Sequence, residues 1–105
     1  MKKCCVALLA LLPLTALAYP IDVEKSLGAG LKIDVQSFGT AYDIGAVTLT
    51  NYGTTPARCT VTFRNGPEGP RVRRTVVGAN QTADVSAKFN REILKLRVAV
   101  DCKAQ

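Results

Sequence analysis

Arginine is the residue whose type and spacing point most directly to chemistry in this 105-residue chain. Several arginines lie on either side of one turn-forming segment: Arg58, Arg64, Arg71, Arg73 and Arg74. A guanidinium is a planar fork of N–H donors that binds phosphate or carboxylate oxygens bidentately. If residues 58–64 and 71–77 pair as a hairpin, several of these guanidiniums gather on one face. The pattern predicts a site for an anionic partner, with a solubilising outer surface as the alternative interpretation.

Most catalytic sites need residues that this sequence lacks. There is no histidine, and the only methionine is Met1, which excludes Ser–His and Cys–His nucleophile pairs, histidine metal sites and thioether copper ligands. Gly28-Ala29-Gly30 lacks the lysine and hydroxyl of a phosphate-binding loop. We therefore expect a protein that is not an enzyme and holds no cofactor or metal. A small enzyme working through a carboxylate pair is an alternative, although no carboxylate pair is singled out by its spacing.

Residues 1–18 have the three parts of a cleavable signal peptide. Lys2 and Lys3 precede an apolar run, and the small residues Ala16 and Ala18 occupy the positions that a signal peptidase recognises. The run is shorter than the ~20 apolar residues of a membrane-spanning helix, so no permanent span is expected after cleavage; an N-terminal anchor is the alternative. The segment predicts export to a Gram-negative periplasm, or else secretion, and leaves one domain, residues 19–105.

The exported part keeps two cysteines, Cys59 and Cys102. An even number of cysteines in an oxidising compartment predicts a disulfide, with two free thiols as the alternative. Both residues fall on the apolar face of an alternating segment. We therefore expect the bond to cross the core.

The elements that must position these residues are strands. Apolar and polar residues alternate, with period two, in several segments bounded by Gly, Pro and Asn: 31–35, 46–50, 58–64, 71–77, 82–89 and 94–102. In the last of these, Leu94 is expected to face inward. Residues 21–27 fit either a strand or a helical turn. The pattern predicts a small, all-β, antiparallel sandwich that is immunoglobulin-like in the loose architectural sense, without the tryptophan of antibody domains.

Positive charge is concentrated in the second half of the chain. The net charge is +6, and residues 58–105 carry ten of the 14 Lys and Arg residues. This asymmetry favours an unidentified acidic protein or an anionic envelope component as partner. Nucleic acid is not expected, because the basic half offers only Phe63 and Phe89 for stacking on bases. We expect a monomer.

Three stretches of the chain are similar to a known group of sequences: Val47–Gly53, Cys59–Pro67 and Lys88–Arg91. Together with the start Tyr-Pro-Ile-Asp at residues 19–22 and the closing cysteine strand, they resemble a group of short, exported, functionally uncharacterised proteins of Gram-negative bacteria. The resemblance implies export and a sandwich fold. Some members bear the name phosphoglycerate kinase, but that enzyme has two domains and a chain several times longer, so the name predicts no activity here.

The sequence therefore favours a binding module that uses the arginines, or an exposed sheet edge that captures another strand. The alternative is an inhibitor of a secreted or periplasmic enzyme. It would act through the rigid loop 65–70, which Pro67 and Pro70 constrain.

Overall fold

The computed structural model describes residues 19–105, and these form seven strands and no helix. The predicted signal peptide, residues 1–18, lies outside the described residues. In chain order the strands are β1 (Ile21–Leu27), β2 (Ile33–Ala41), β3 (Ile44–Asn51), β4 (Ala57–Asn65), β5 (Arg71–Val77), β6 (Thr82–Lys88) and β7 (Leu96–Ala104). Within residues 19–105 no helical segment is therefore available to cross a bilayer.

The strands form two sheets, which confirms the predicted β-sandwich. Sheet I has the order β1-β7-β4-β5 and sheet II the order β2-β3-β6. Residues 21–27 are a strand and not a helical turn, because they pair in parallel with β7 along their whole length. The strand order differs from that of antibody domains, so the likeness to immunoglobulin folds is one of architecture alone.

Alternating apolar residues of β4 and β7 form one wall of the core. Val61 and Phe63 are fully buried on β4, and they face Val47 and Leu49 of β3 in sheet II. The outward positions of β4 carry arginine and threonine instead. Burial of one face per strand fixes the register, because a shift of one residue would expose the whole apolar set.

Cys59 and Cys102 form the predicted disulfide, with an S–S distance of 2.07 Å. Both are fully buried. The expectation that the bond crosses the core between the sheets was wrong, because β7 pairs with β4 inside sheet I and places the two cysteines directly opposite each other. The bond spans 43 residues of sequence, including β5 and β6. A buried disulfide is compatible with an oxidising location outside the cytoplasm.

The segment before β7 also differs from the prediction. The last strand begins at Leu96 instead of residue 94, and the side chain of Leu94 is 76% exposed. The chain crosses from sheet II to sheet I through residues 89–95, and Leu96 is the first residue that pairs with β4. Leu94 precedes that pairing, so the alternating pattern does not determine its direction.

The N-terminal residues of the described chain are fixed at one end of the sandwich. The Tyr19 hydroxyl donates a hydrogen bond of 2.8 Å to the carbonyl of Ile44, and the Pro20 carbonyl accepts one of 3.0 Å from the N–H of Leu96. A side chain at Gly39 would come within 2.7 Å of the Tyr19 ring. Burial, and then the charge of Asp43, raises the pKa of the Tyr19 phenol above its ordinary value of 10.0.

Candidate functional site

The five arginines predicted to bind an anion do not share one face. The segments at 58–64 and 71–77 do pair as a hairpin, as expected. Arg58, Arg64 and Arg74 point outward from sheet I, whereas Arg71 and Arg73 are opposite the buried residues Phe63 and Val61. The prediction of one arginine face is therefore wrong for Arg71 and Arg73, because successive residues of a strand point to opposite faces.

Arg71 and Arg73 cover the open side of the sandwich between β5 and β6. The Nε atom of Arg73 donates to the Ser86 carbonyl at 3.0 Å, and that of Arg71 donates to the Lys88 carbonyl at 3.3 Å. The Arg71 guanidinium also lies 5.1 Å from the centre of the Phe89 ring. Inward-pointing charges on edge strands hinder pairing with other chains. The geometry gives these two arginines a structural role at the sheet edges.

Arg64 and Arg97 are directly opposite each other on the solvent face of sheet I. Arg64 is the penultimate residue of β4 and Arg97 the second residue of β7, and the two are register partners on neighbouring strands. Like charges in this position destabilise a sheet. Within residues 19–105 neither guanidinium forms an ion pair, because the nearby carboxylate of Asp22 binds Lys95 at 3.0 Å. The pair therefore presents two positive charges to solvent without a direct ion pair, with Asp22 as the register partner of Arg97 on β1.

Two surface depressions meet at this arginine pair. One, of about 310 Å³, continues across sheet I towards Asp22 and Glu24. The other, of about 370 Å³, runs along the end of the sandwich between the loops that precede β5 and β7. Its walls include Pro67, Arg91 and Leu94, and Glu92 is its only carboxylate. We call this second depression the end groove.

Sequence reasoning found Arg64 but missed Arg97 and Arg91 as members of the site. The alternation in residues 94–102 correctly predicted that Arg97 points outward. What the sequence did not indicate is that β7 pairs with β4, which brings Arg97 opposite Arg64. Arg58 and Arg74 lie further along the same face, opposite Lys103 and Thr60.

Glu68 ties together the two loops that border the end groove. Its carboxylate accepts hydrogen bonds from the N–H groups of Asn90, at 2.9 Å, and Arg91, at 3.2 Å. It also accepts one of 3.0 Å from the side chain of Asn65 and lies 3.6 Å from Arg71. These donors leave the carboxylate little freedom, and they hold loop 65–70 against residues 90–91.

The same donors set the charge state of Glu68. The N–H of Asn90 contributes most, and Arg91, Asn65 and Arg71 add to it; together they outweigh the opposing effect of burial and hold the pKa of Glu68 below its ordinary value of 4.5. Because the folded pKa is below the unfolded one, the stabilisation is complete above pH 4.5 and is lost as the pH falls through the folded pKa.

Replacing Glu68 with Gln will loosen the end groove without altering the sheets. We expect the amide proton of Asn90 or of Arg91 to exchange with solvent about tenfold faster, because glutamine replaces one of the two acceptor oxygens with an NH2 donor and local opening becomes easier. The acid-induced decrease in stability below pH 4.5 should also become shallower. Amide exchange by NMR and urea titrations at several pH values measure both effects. Unchanged exchange at both residues would contradict the role of Glu68 in holding the two loops together.

Loop 65–70 exposes mainly glycine and proline residues. Because Glu68 points back into the molecule, the exposed residues of the loop are Gly66, Pro67, Gly69 and Pro70. Gly66 has a φ of 55°, a left-handed conformation that glycine adopts without strain. The loop is rigid, but it exposes no long side chain that could fill an enzyme's specificity pocket.

The two phenylalanines of the basic half are buried. Phe63 and Phe89 are 0% and 1% exposed, so neither ring is accessible for stacking on a base. Among residues 19–105 no three acidic or cysteine side chains are grouped as metal ligands would be. No model of a known protein family matches the chain, and no curated protein matches it significantly. The resemblance to short exported proteins of Gram-negative bacteria therefore stays a prediction.

Proposed function

We propose that this protein is a non-enzymatic binding module of the periplasm, which recognises an anionic component of the cell envelope through Arg64 and Arg97. The observation that supports it most strongly is the placement of two guanidiniums in direct cross-strand register on a solvent-facing sheet. Such a placement costs stability. A local arrangement that opposes folding is typical of a functional site. Arg58 and Lys103 are also opposite each other on this face, but only Arg64 and Arg97 line the two depressions.

The surroundings of the pair support the same function. Arg91 adds a third positive charge along the end groove, and within the described chain it forms no ion pair. The rigid strands β4 and β7 carry Arg64 and Arg97, and the Cys59–Cys102 disulfide joins these strands further along. The strands fix the spacing of the two arginines, and the planar guanidinium loses less freedom per hydrogen bond than a flexible ammonium does when a phosphate or carboxylate binds.

Titration of the exported protein with pyrophosphate, followed by NMR, tests the proposal. We expect the largest shift changes at Arg64 and Arg97, and a loss of affinity of about tenfold or more in the double variant Arg64→Gln/Arg97→Gln, since each charge-assisted hydrogen bond is worth ~1.5–3 kcal/mol. The same variant should be at least as stable as the wild type, because the like-charge repulsion is relieved.

The matched control is Arg58→Gln/Arg74→Gln, which removes the same charge from the same sheet face at a distance from the groove. Affinity should change little in this control. An equal loss in both double variants would indicate a general charge effect and overturn the site, and so would the absence of binding in the wild type. A parallel titration with an acidic peptide, binding when pyrophosphate does not, would point instead to an acidic protein partner.

A further inference from the structure

The end of the sandwich that carries the end groove also exposes large apolar side chains. Leu94 is 76% exposed and Tyr42 is 61% exposed. The backbone segments that carry them are in contact, because the N–H of Ile93 donates a 2.7 Å hydrogen bond to the Tyr42 carbonyl. Pro67, on the facing loop, is exposed as well. Exposed leucine is costly in water unless it is buried against a partner.

Positive charge lines the groove around Leu94 and Pro67. Arg64, Arg91, Lys95 and Arg97 line the same groove as Leu94, against the single carboxylate of Glu92. A leucine and a tyrosine beside lysine and arginine form the combination that binds the surface of an anionic bilayer: the apolar groups enter the headgroup region, and the cations bind lipid phosphates. A free phosphate or a soluble polyanion would not require the apolar part.

The position of the N-terminus supports the same orientation. Tyr19 and Pro20 are held at this end of the sandwich by hydrogen bonds to Ile44 and Leu96. The predicted signal segment, residues 1–18, directly precedes them in the chain. If residues 1–18 act as the predicted signal peptide, the chain leaves the membrane at this end of the sandwich.

Resting on the proposed anion site, we infer that its ligand is an anionic phospholipid surface and that the protein docks on it with the end groove facing the bilayer. Leu94 and Tyr42 enter the headgroup region, and Arg64, Arg91 and Arg97 bind the phosphates. The hydrogen bonds of the Glu68 carboxylate to Asn65 and Asn90 keep both walls of the groove in place. Docking of this kind is reversible, since a few apolar side chains contribute far less than a membrane-spanning helix.

Vesicle sedimentation tests the inference. The probes are vesicles of phosphatidylcholine alone and of phosphatidylcholine with phosphatidylglycerol. We expect the wild type to bind only the anionic vesicles, and Leu94→Ser and Tyr42→Ser each to weaken this binding by up to about tenfold. The control Tyr52→Ser removes a 66% exposed tyrosine at the other end of β3 and should bind as the wild type does.

The outcomes separate this inference from the proposed function. Binding of pyrophosphate without binding of anionic vesicles would overturn membrane docking and leave the arginine site in place. Vesicle binding that Leu94→Ser and Tyr42→Ser retain in full would also overturn it, because adsorption would then depend on charge alone. Failure to bind either pyrophosphate or anionic vesicles would overturn both proposals. The double variant Arg64→Gln/Arg97→Gln should lose binding to anionic vesicles as well as to pyrophosphate.

Discussion

Replacing Cys59 and Cys102 with alanine will lower the free energy of unfolding by about 4 kcal/mol. The disulfide closes a loop of 43 residues, and the chain-entropy model gives this value for the conformational freedom that the unfolded chain regains. Small domains are stable by only ~5–15 kcal/mol, so the loss is a large part of the total. Urea denaturation of the double variant and the wild type measures it.

Reduction of the wild type with dithiothreitol is the matched control for this experiment. It breaks the cross-link but keeps both sulfur atoms in the core, where each cysteine is fully buried. The reduced wild type should therefore lose most, but not all, of what the alanine variant loses. A decrease of less than about 1 kcal/mol in both would mean that the unfolded chain is already compact, and that pairing between β4 and β7 does not need the bond.

The strands could be predicted from the sequence because burial imposes a period of two wherever one face of a strand meets the core. Residues 57–65 show this directly: Cys59, Val61 and Phe63 are fully buried, and Arg58 and Arg64 are exposed. The same local rule cannot tell which strand lies beside which. The sequence therefore predicts the pairing of Cys59 with Cys102 correctly. It does not predict that the bond joins neighbouring strands of sheet I instead of the two sheets.

Edge strands follow a different rule, and the arginine prediction failed there. On β5 the inner positions are Arg71, Arg73, Thr75 and Val77, of which only Val77 is buried. At an edge, a long side chain can begin on the inner face and still place its charge at the rim. Arg73 does this when it donates to the Ser86 carbonyl. An alternating sequence pattern assigns polar residues to the outer face, so it cannot identify arginines that lie on the inner face of an edge strand.

The candidate site depends on contacts between segments that are distant in sequence. Arg64 and Arg97 meet because the last strand pairs with β4, and Arg91 joins them because Glu68 holds residues 90–91 against loop 65–70. The charge asymmetry of the chain predicts a basic surface in its second half. It does not indicate which basic residues form direct ion pairs, since that requires knowing that Asp22 binds Lys95.

Phe89 connects the core to the end groove, and its replacement by alanine will affect both. The ring is 1% exposed, and the N–H of Phe89 donates a 2.8 Å hydrogen bond to the Asp43 carbonyl. We expect the free energy of unfolding to fall by about 3–5 kcal/mol, the usual cost of removing a buried phenyl ring and leaving a cavity. The guanidinium of Arg71, 5.1 Å from the ring centre, also loses its contact.

The effect of Phe89→Ala on binding follows from its place in the chain. The two next residues, Asn90 and Arg91, donate to Glu68, so a loosened residue 89 frees the segment that bears Arg91 and Leu94. We expect affinity for pyrophosphate to fall even at temperatures where the variant remains folded. The matched control is Phe38→Ala, because Phe38 is 44% exposed on sheet II and should cost less than about 1 kcal/mol. Urea denaturation and the NMR titration measure the two effects, and equal losses of stability in both variants would show that Phe89 is not a core residue that anchors the groove.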